Sequence, residues 1–81
     1  MSLMIELRNI KKVDSIITCE AFFEACKEPV ILRYSIERKD FLPFTFPKGY
    51  EYCKTHVAFA RRYFRDLGDK EPEKQMTFMW Y

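Results

Sequence analysis

The chain has 81 residues, enough for one small domain, and eight Phe, five Tyr and one Trp let it build a compact core from few rings. Fourteen Lys and Arg against twelve Asp and Glu leave a net charge of +2, a balance that describes a solvated surface rather than a committed nucleic-acid binder. Two Gly exclude a dinucleotide-binding glycine fingerprint, and no apolar run approaches the roughly 18 residues of a membrane span.

Met1 to Leu3 can be read as an expression-vector remnant and carry no weight. From Met4 to Ile10 the chain alternates, Ile5 and Leu7 against Glu6 and Arg8, which predicts a half-buried strand. Lys11 to Ser15 is polar enough to turn. The charges at Glu6, Arg8, Lys11 and Lys12 break any leader-like apolar stretch. With no leader, the odd set Cys19, Cys26 and Cys53 predicts reduced thiols and a cytoplasmic location rather than a disulfide framework.

A second strand is expected over Ile16 to Phe23, with Ile17, Cys19, Ala21 and Phe23 on one side and Glu20 and Glu24 on the other. Cys26 to Pro29 interrupts it. Val30, Leu32, Tyr34 and Ile36 then alternate with Ile31, Arg33, Ser35 and Glu37, the clearest strand pattern in the chain. Arg38 to Asp40 turns, and Phe41 to Phe46 reads as a returning fourth strand that Pro43 confines to an edge.

From Tyr50 the period changes. Cys53, Val57, Ala60, Phe64 and Leu67 recur at steps of four and three, as one buried helix stripe requires. Gly49 is placed to act as N-cap with Glu51 near the positive end of the dipole, and Gly68 stands where a helix stops. After a charged loop with Pro72, Met76 to Tyr81 is short, apolar and strand-prone. The order β-β-β-(β)-α-β predicts a single α+β domain over residues 1–81, an antiparallel sheet of four to five strands with one helix packed on one face. The other face would carry Glu6, Arg8, Thr18, Glu20, Arg33, Ser35 and Glu37, interrupted by Ile16, Phe22 and Ile31.

Gly49, Tyr50, Glu51, Cys53, Lys54 and His56, followed by a helix and the ending Thr77, Met79, Trp80 and Tyr81, resemble small bacterial proteins of unassigned function. The resemblance covers about the last third of the chain, and such proteins bring no established activity with them. It therefore implies no catalytic residue and no cofactor.

Three readings of the side chains compete. Tyr52, His56, Phe59 and Tyr63 form a second helical stripe beside the core one, so the apolar sector spans about half the helix circumference. Either neighbouring chain wraps over that flank, or it is an aromatic ridge for a partner. Together with Met79, Trp80 and Tyr81 it points to a non-catalytic protein-interaction module, a homodimer joined through the edge of the last strand. Lys48, Lys54, Arg61 and Arg65 form a basic face that a small nucleic-acid-binding domain would use, and the bland alternative is a solvated face. Cys53 and His56 are three apart on the helix, which raises a metal or thiol/His site, and Glu20 or Glu24 could approach His56 from the sheet. A structural histidine and buried cysteines answer the same pattern, because no Cys-x-x-Cys knuckle accompanies them. No metal, cofactor or membrane contact is expected, and no nucleophile motif marks an enzyme.

Overall fold

Alternation with β-branched and aromatic residues carries the sheet. In the computed structural model, which describes residues 3–24 and 26–80 (for Leu3 and Trp80 the backbone alone), the strands are β1 Leu3–Val13, β2 Ile16–Phe23, β3 Val30–Ser35, β4 Asp40–Phe41 and β5 Met76–Trp80. Among the described residues a single helix, α1, spans Lys54–Leu67 between β4 and β5. All pairings are antiparallel, in the order β4-β3-β2-β1-β5. The α+β architecture follows directly: one sheet, with the apolar stripe of α1 laid on one face.

The first turn falls later than the polarity of Lys11 to Ser15 suggests. β1 continues to Val13, and the hairpin closes over Asp14 and Ser15 alone, between the paired Val13 and Ile16. Asp14 takes φ 57°, a left-handed conformation that tight hairpins need and Asp tolerates. Between Arg8 and Lys11 the register slips, so that Asn9 and Ile10 together oppose the single residue Cys19. Asn9 supplies the positive φ of 53° that such a bulge requires. The slip turns Ile10 inward to 4% exposure and aims its N–H at the Lys74 carbonyl, 3.0 Å away, outside the β1–β2 ladder.

The fourth strand is reduced to two residues. Phe41 pairs with Tyr34, and the Leu42 N–H reaches the Arg33 carbonyl at 2.7 Å, but Pro43 has no N–H to continue the ladder. The chain instead crosses the end of the core as irregular structure, inserting rings. Phe41, Phe44 and Phe46 contact one another in turn at 6.3 and 5.1 Å, and Phe46 closes on Phe23 at 5.7 Å.

Gly49 does not cap the helix, and Glu51 is not in its first turn. A turn over 51–53 comes between, Cys53 is the N-cap, and no acidic residue lies in the first turn. The Tyr50 carbonyl accepts the Cys53 N–H at 3.0 Å, and the Cys53 carbonyl accepts the Val57 N–H at 3.3 Å, so successive tight turns wind the chain into α1. At the other end Gly68, at φ 62°, donates its N–H to the Phe64 carbonyl and stops the helix where the sequence places the stop.

The core is the meeting of these two patterns. Ile5, Leu7, Ile17, Ala21, Phe23 and Leu32 are fully buried from the sheet, against Cys53, Val57, Ala60 and Phe64 from the helix side. Leu67 closes the stripe half-buried. Ser35, expected on the wet face, is buried at 5% exposure: it ends β3, and its Oγ accepts the Arg38 N–H at 3.2 Å in the turn into β4. The opposite face is open, with Ile31 at 55% exposure and Arg8 stacked over Phe22 at 4.9 Å from the ring centroid. Among the described residues no helix is long and apolar enough to cross a membrane.

Candidate functional site

Two flanks of α1 and one end of the sheet hold the residues with chemistry or exposed apolar area. The end of β2 meets the start of α1. Glu24 follows β2 in a left-handed conformation, φ 51°, which lifts its carboxylate off the outer face toward the helix. His56 Nε2 donates to Glu24 Oε1 at 2.5 Å, and the Met4 N–H reaches the same oxygen at 3.3 Å. A carboxylate only accepts, so this bond puts the proton on Nε2. His56 is 2% exposed, edge-on to Phe23 at 6.1 Å and to Tyr52 at 6.3 Å.

His56 therefore leaves the partner-binding ridge on which its sequence position places it. It is a buried clamp between the helix start and the strand end. Cys53 lies in the same corner. Burial raises its pKa above the usual thiol value; a hydrogen bond from the Tyr52 hydroxyl lowers it in part, while the neighbouring Glu24 carboxylate and Cys26 thiol add to the rise. A thiol held protonated is the reverse of an activated nucleophile. Desolvation, together with Cys53 and Glu24, likewise raises the Tyr52 hydroxyl.

Cys26, half-buried in the turn after β2, donates its thiol to the Glu28 carbonyl at 3.4 Å. Cys19 lies in mid-sheet opposite Leu32, where burial pushes its thiol up to about 12. Among the described residues no three His, Cys, Asp or Glu side chains are grouped to hold a metal ion. Of the two carboxylates in and just after β2 that could approach His56, Glu24 is the one that arrives, while Glu20 accepts from Asn9 on the outer face. Alternation puts both on that outer face, and only the left-handed turn after Phe23 brings Glu24 back.

The basic face is divided. Arg61 Nε stands 3.4 Å from Asp40 Oδ1, and Arg65 Nη2 donates to the Lys39 carbonyl at 3.4 Å, so both arginines lean on the β3–β4 turn. Lys48 is exposed in the turn before the helix, and Lys54 is exposed on its first residue.

The other flank of α1 faces β5. Alternation along β5 turns Met76 and Phe78 toward the helix and Thr77 and Met79 away, because Phe78 pairs with the inward Ile5 and Met79 with the outward Met4. Tyr63 rests on Phe78 at 5.5 Å and on Phe64 at 5.2 Å, half-buried, and its hydroxyl accepts the Glu73 N–H at 3.4 Å. Phe59 stays 36% exposed one turn earlier. Between them runs an open groove of about 310 Å³, lined by Phe59, Tyr63 and Phe78, with Arg62 and Asp66 at its rim. These two charges are four residues apart, yet they close no ion pair among the described residues.

The remaining ridge residues sit as follows. Tyr52 precedes the helix rather than belonging to it, is 63% exposed, and stacks on Tyr50 at 6.1 Å. Met79 is 58% exposed on the outer face of β5. Trp80 contributes backbone to β5, and its side chain and Tyr81 lie outside the described residues. Phe78 is the groove residue that the helical stripe does not disclose; its signal in the chain is the period-two pairing with Met76. Set against known proteins, the chain matches no protein-family model, no curated protein and no solved structure.

Proposed function

We propose that the domain is a non-catalytic interaction module that pairs with a second copy of itself along the open edge of β5. The carrying observation is the contrast between its two sheet edges. The β4 edge is only two residues long, flanked by Lys39 and Pro43, the means by which proteins blunt an edge against pairing. The β5 edge runs Met-Thr-Phe-Met-Trp, five residues with no charge, no proline and no bulge, and among the described residues its outer side carries no strand. An apolar edge left this open is a template for another strand.

The groove beside it supports the second copy as occupant. A two-fold axis through β5 runs the two strands antiparallel and brings the two helix flanks together in opposite directions. In such a pair Arg62 would come opposite Asp66 of the partner subunit, and the reverse, because a groove lined by both signs can be self-complementary about a two-fold axis. Phe59 and Tyr63 supply apolar area of the kind that dominates interface centres. An interface of one short strand and one helix flank is small, so the expected affinity is in the micromolar range.

Light scattering after size exclusion, from about 1 µM to 1 mM, tests this. The expected mass rises with concentration toward that of a dimer, and the double variant Phe59→Lys/Met79→Lys stays monomeric with an unchanged far-UV spectrum. A parent chain that remains monomeric throughout, or a folded double variant that associates as the parent does, refutes it.

A further inference from the structure

The flank of α1 that faces away from β5 holds a second concavity. A cavity of about 200 Å³ lies between the irregular segment after β4 and the first half of the helix. Its apolar walls are Phe41, Phe44, Phe46 and Val57, with the three rings set edge-on at interplanar angles of 76° and 70°. Its rim is Lys54, Arg61 and Asp40. Residues seven apart in a helix lie two turns, about 10 Å, along one side, so Lys54 and Arg61 bracket the opening from the same element.

The charges at the rim do not balance. Arg61 Nε approaches Asp40 at 3.4 Å without making a hydrogen bond and is itself shielded from solvent. Lys54 closes no ion pair among the described residues. Two cations against one carboxylate leave a single net positive charge over an aromatic floor. The complementary molecule is a monoanion with an apolar body.

Size narrows it further. A dry cavity of about 150 Å³ accepts benzene, so the space here takes one six-membered ring with a short side arm. A nucleotide is too large, and a dianionic phosphate would meet Asp40. The guanidinium fork and the ammonium suit a carboxylate, which two donors can share. We infer that this cavity is a binding site for a small aromatic monocarboxylate, its ring among Phe41, Phe44 and Phe46 and its carboxylate between Lys54 and Arg61. The site is independent of β5 pairing, because it lies on the opposite flank of the helix.

The test is an NMR titration of the full ¹⁵N-labelled chain with phenylacetate and, in parallel, its neutral isostere phenylacetamide. Phenylacetate is expected to give saturable shifts confined to the 40–46 segment and the first half of α1. Phenylacetamide should bind at least tenfold more weakly, as should phenylacetate to the Lys54→Gln/Arg61→Gln variant. Lys54 is exposed and Arg61 half-buried, neither belongs to the core, and the spectrum of the free variant reports its fold directly. Equal binding of the acid and the amide, or no saturation by about 10 mM, overturns the assignment without recourse to any variant. So does undiminished binding to a folded double variant.

Discussion

Phe64 offers the sharpest check on how helix and sheet are joined. Its ring is 1% exposed and contacts Tyr63 at 5.2 Å, Tyr34 at 5.4 Å and Phe41 at 6.1 Å, so it touches the helix flank, β3 and β4 together. A buried Phe removes roughly 150 Å² or more from water, and at about 25 cal/mol per Å² this is worth about 4 kcal/mol. Measured Phe→Ala costs in cores, cavity included, run to about 3–5 kcal/mol. A domain of this length holds only about 4–12 kcal/mol in total, so Phe64→Ala consumes a large part of the margin.

The thermal consequence is correspondingly large. At about 4–8 °C per kcal/mol for a domain of this size, Tm should fall by more than about 12 °C. Phe59→Ala, on the same helix but at a position left 36% exposed, is the control and should cost less than about 1 kcal/mol in the monomer. Urea denaturation followed by far-UV circular dichroism measures both, at a protein concentration where association is absent. Equal midpoints for Phe64→Ala and the parent, at unchanged slope, would refute the packing of α1 on the sheet.

Three further outcomes follow from the buried corner and the thiols. Glu24→Ala and His56→Ala should each destabilise, and a double-mutant cycle should show a coupling of about 1 kcal/mol, since each removes the other's partner; additivity within about 0.5 kcal/mol would show that the clamp contributes nothing. Half-buried Cys26 should react with a thiol reagent at pH 8 well before Cys19, whose thiol burial pushes up to about 12; equal rates in the folded chain would refute that burial. The same group sets an alkaline limit. Cys19 is an acid whose folded pKa exceeds its usual 9.0, so above pH 9 the unfolded chain loses a proton that the folded chain keeps, and stability falls as pH rises from 9 toward 12. Cys53 and Tyr34, both raised first by burial, act in the same direction. Tm measured against pH should decline less steeply for Cys19→Ala than for the parent, and parallel curves would refute the assignment.

What could be read from the chain was whatever repeats with a fixed period. Ile17, Cys19, Ala21 and Phe23 alternate, so β2 is legible to the residue; Cys53, Val57, Ala60 and Phe64 step by four and three, so the buried side of α1 is legible too, as is the stop at Gly68. Periodicity is local, and it fails where one residue changes frame. Asn9 adds a residue to β1 and turns Ile10 inward, Pro43 ends the β4 ladder after two residues, and the turn at 51–53 delays the helix past Gly49.

The sites depend on the same departures. Exposed Tyr52, Phe59 and Met79 could be named from their stripe and strand, but His56 stands in that stripe and is buried, because Glu24 reaches it across 32 positions from a left-handed turn. Sequence by itself determined β2, β3, β5 and the helix, and which sides of them are apolar, since each follows from backbone geometry over a few neighbouring residues, whereas the extent of β1 and β4 did not follow from it. Only the tertiary structure decided that β5 lies at an open edge, that Phe78 completes a groove with Tyr63, and that three phenylalanines line a cavity under Lys54 and Arg61. Those are contacts between residues far apart in the chain, and strand order and loop path, which no local period encodes, bring them together.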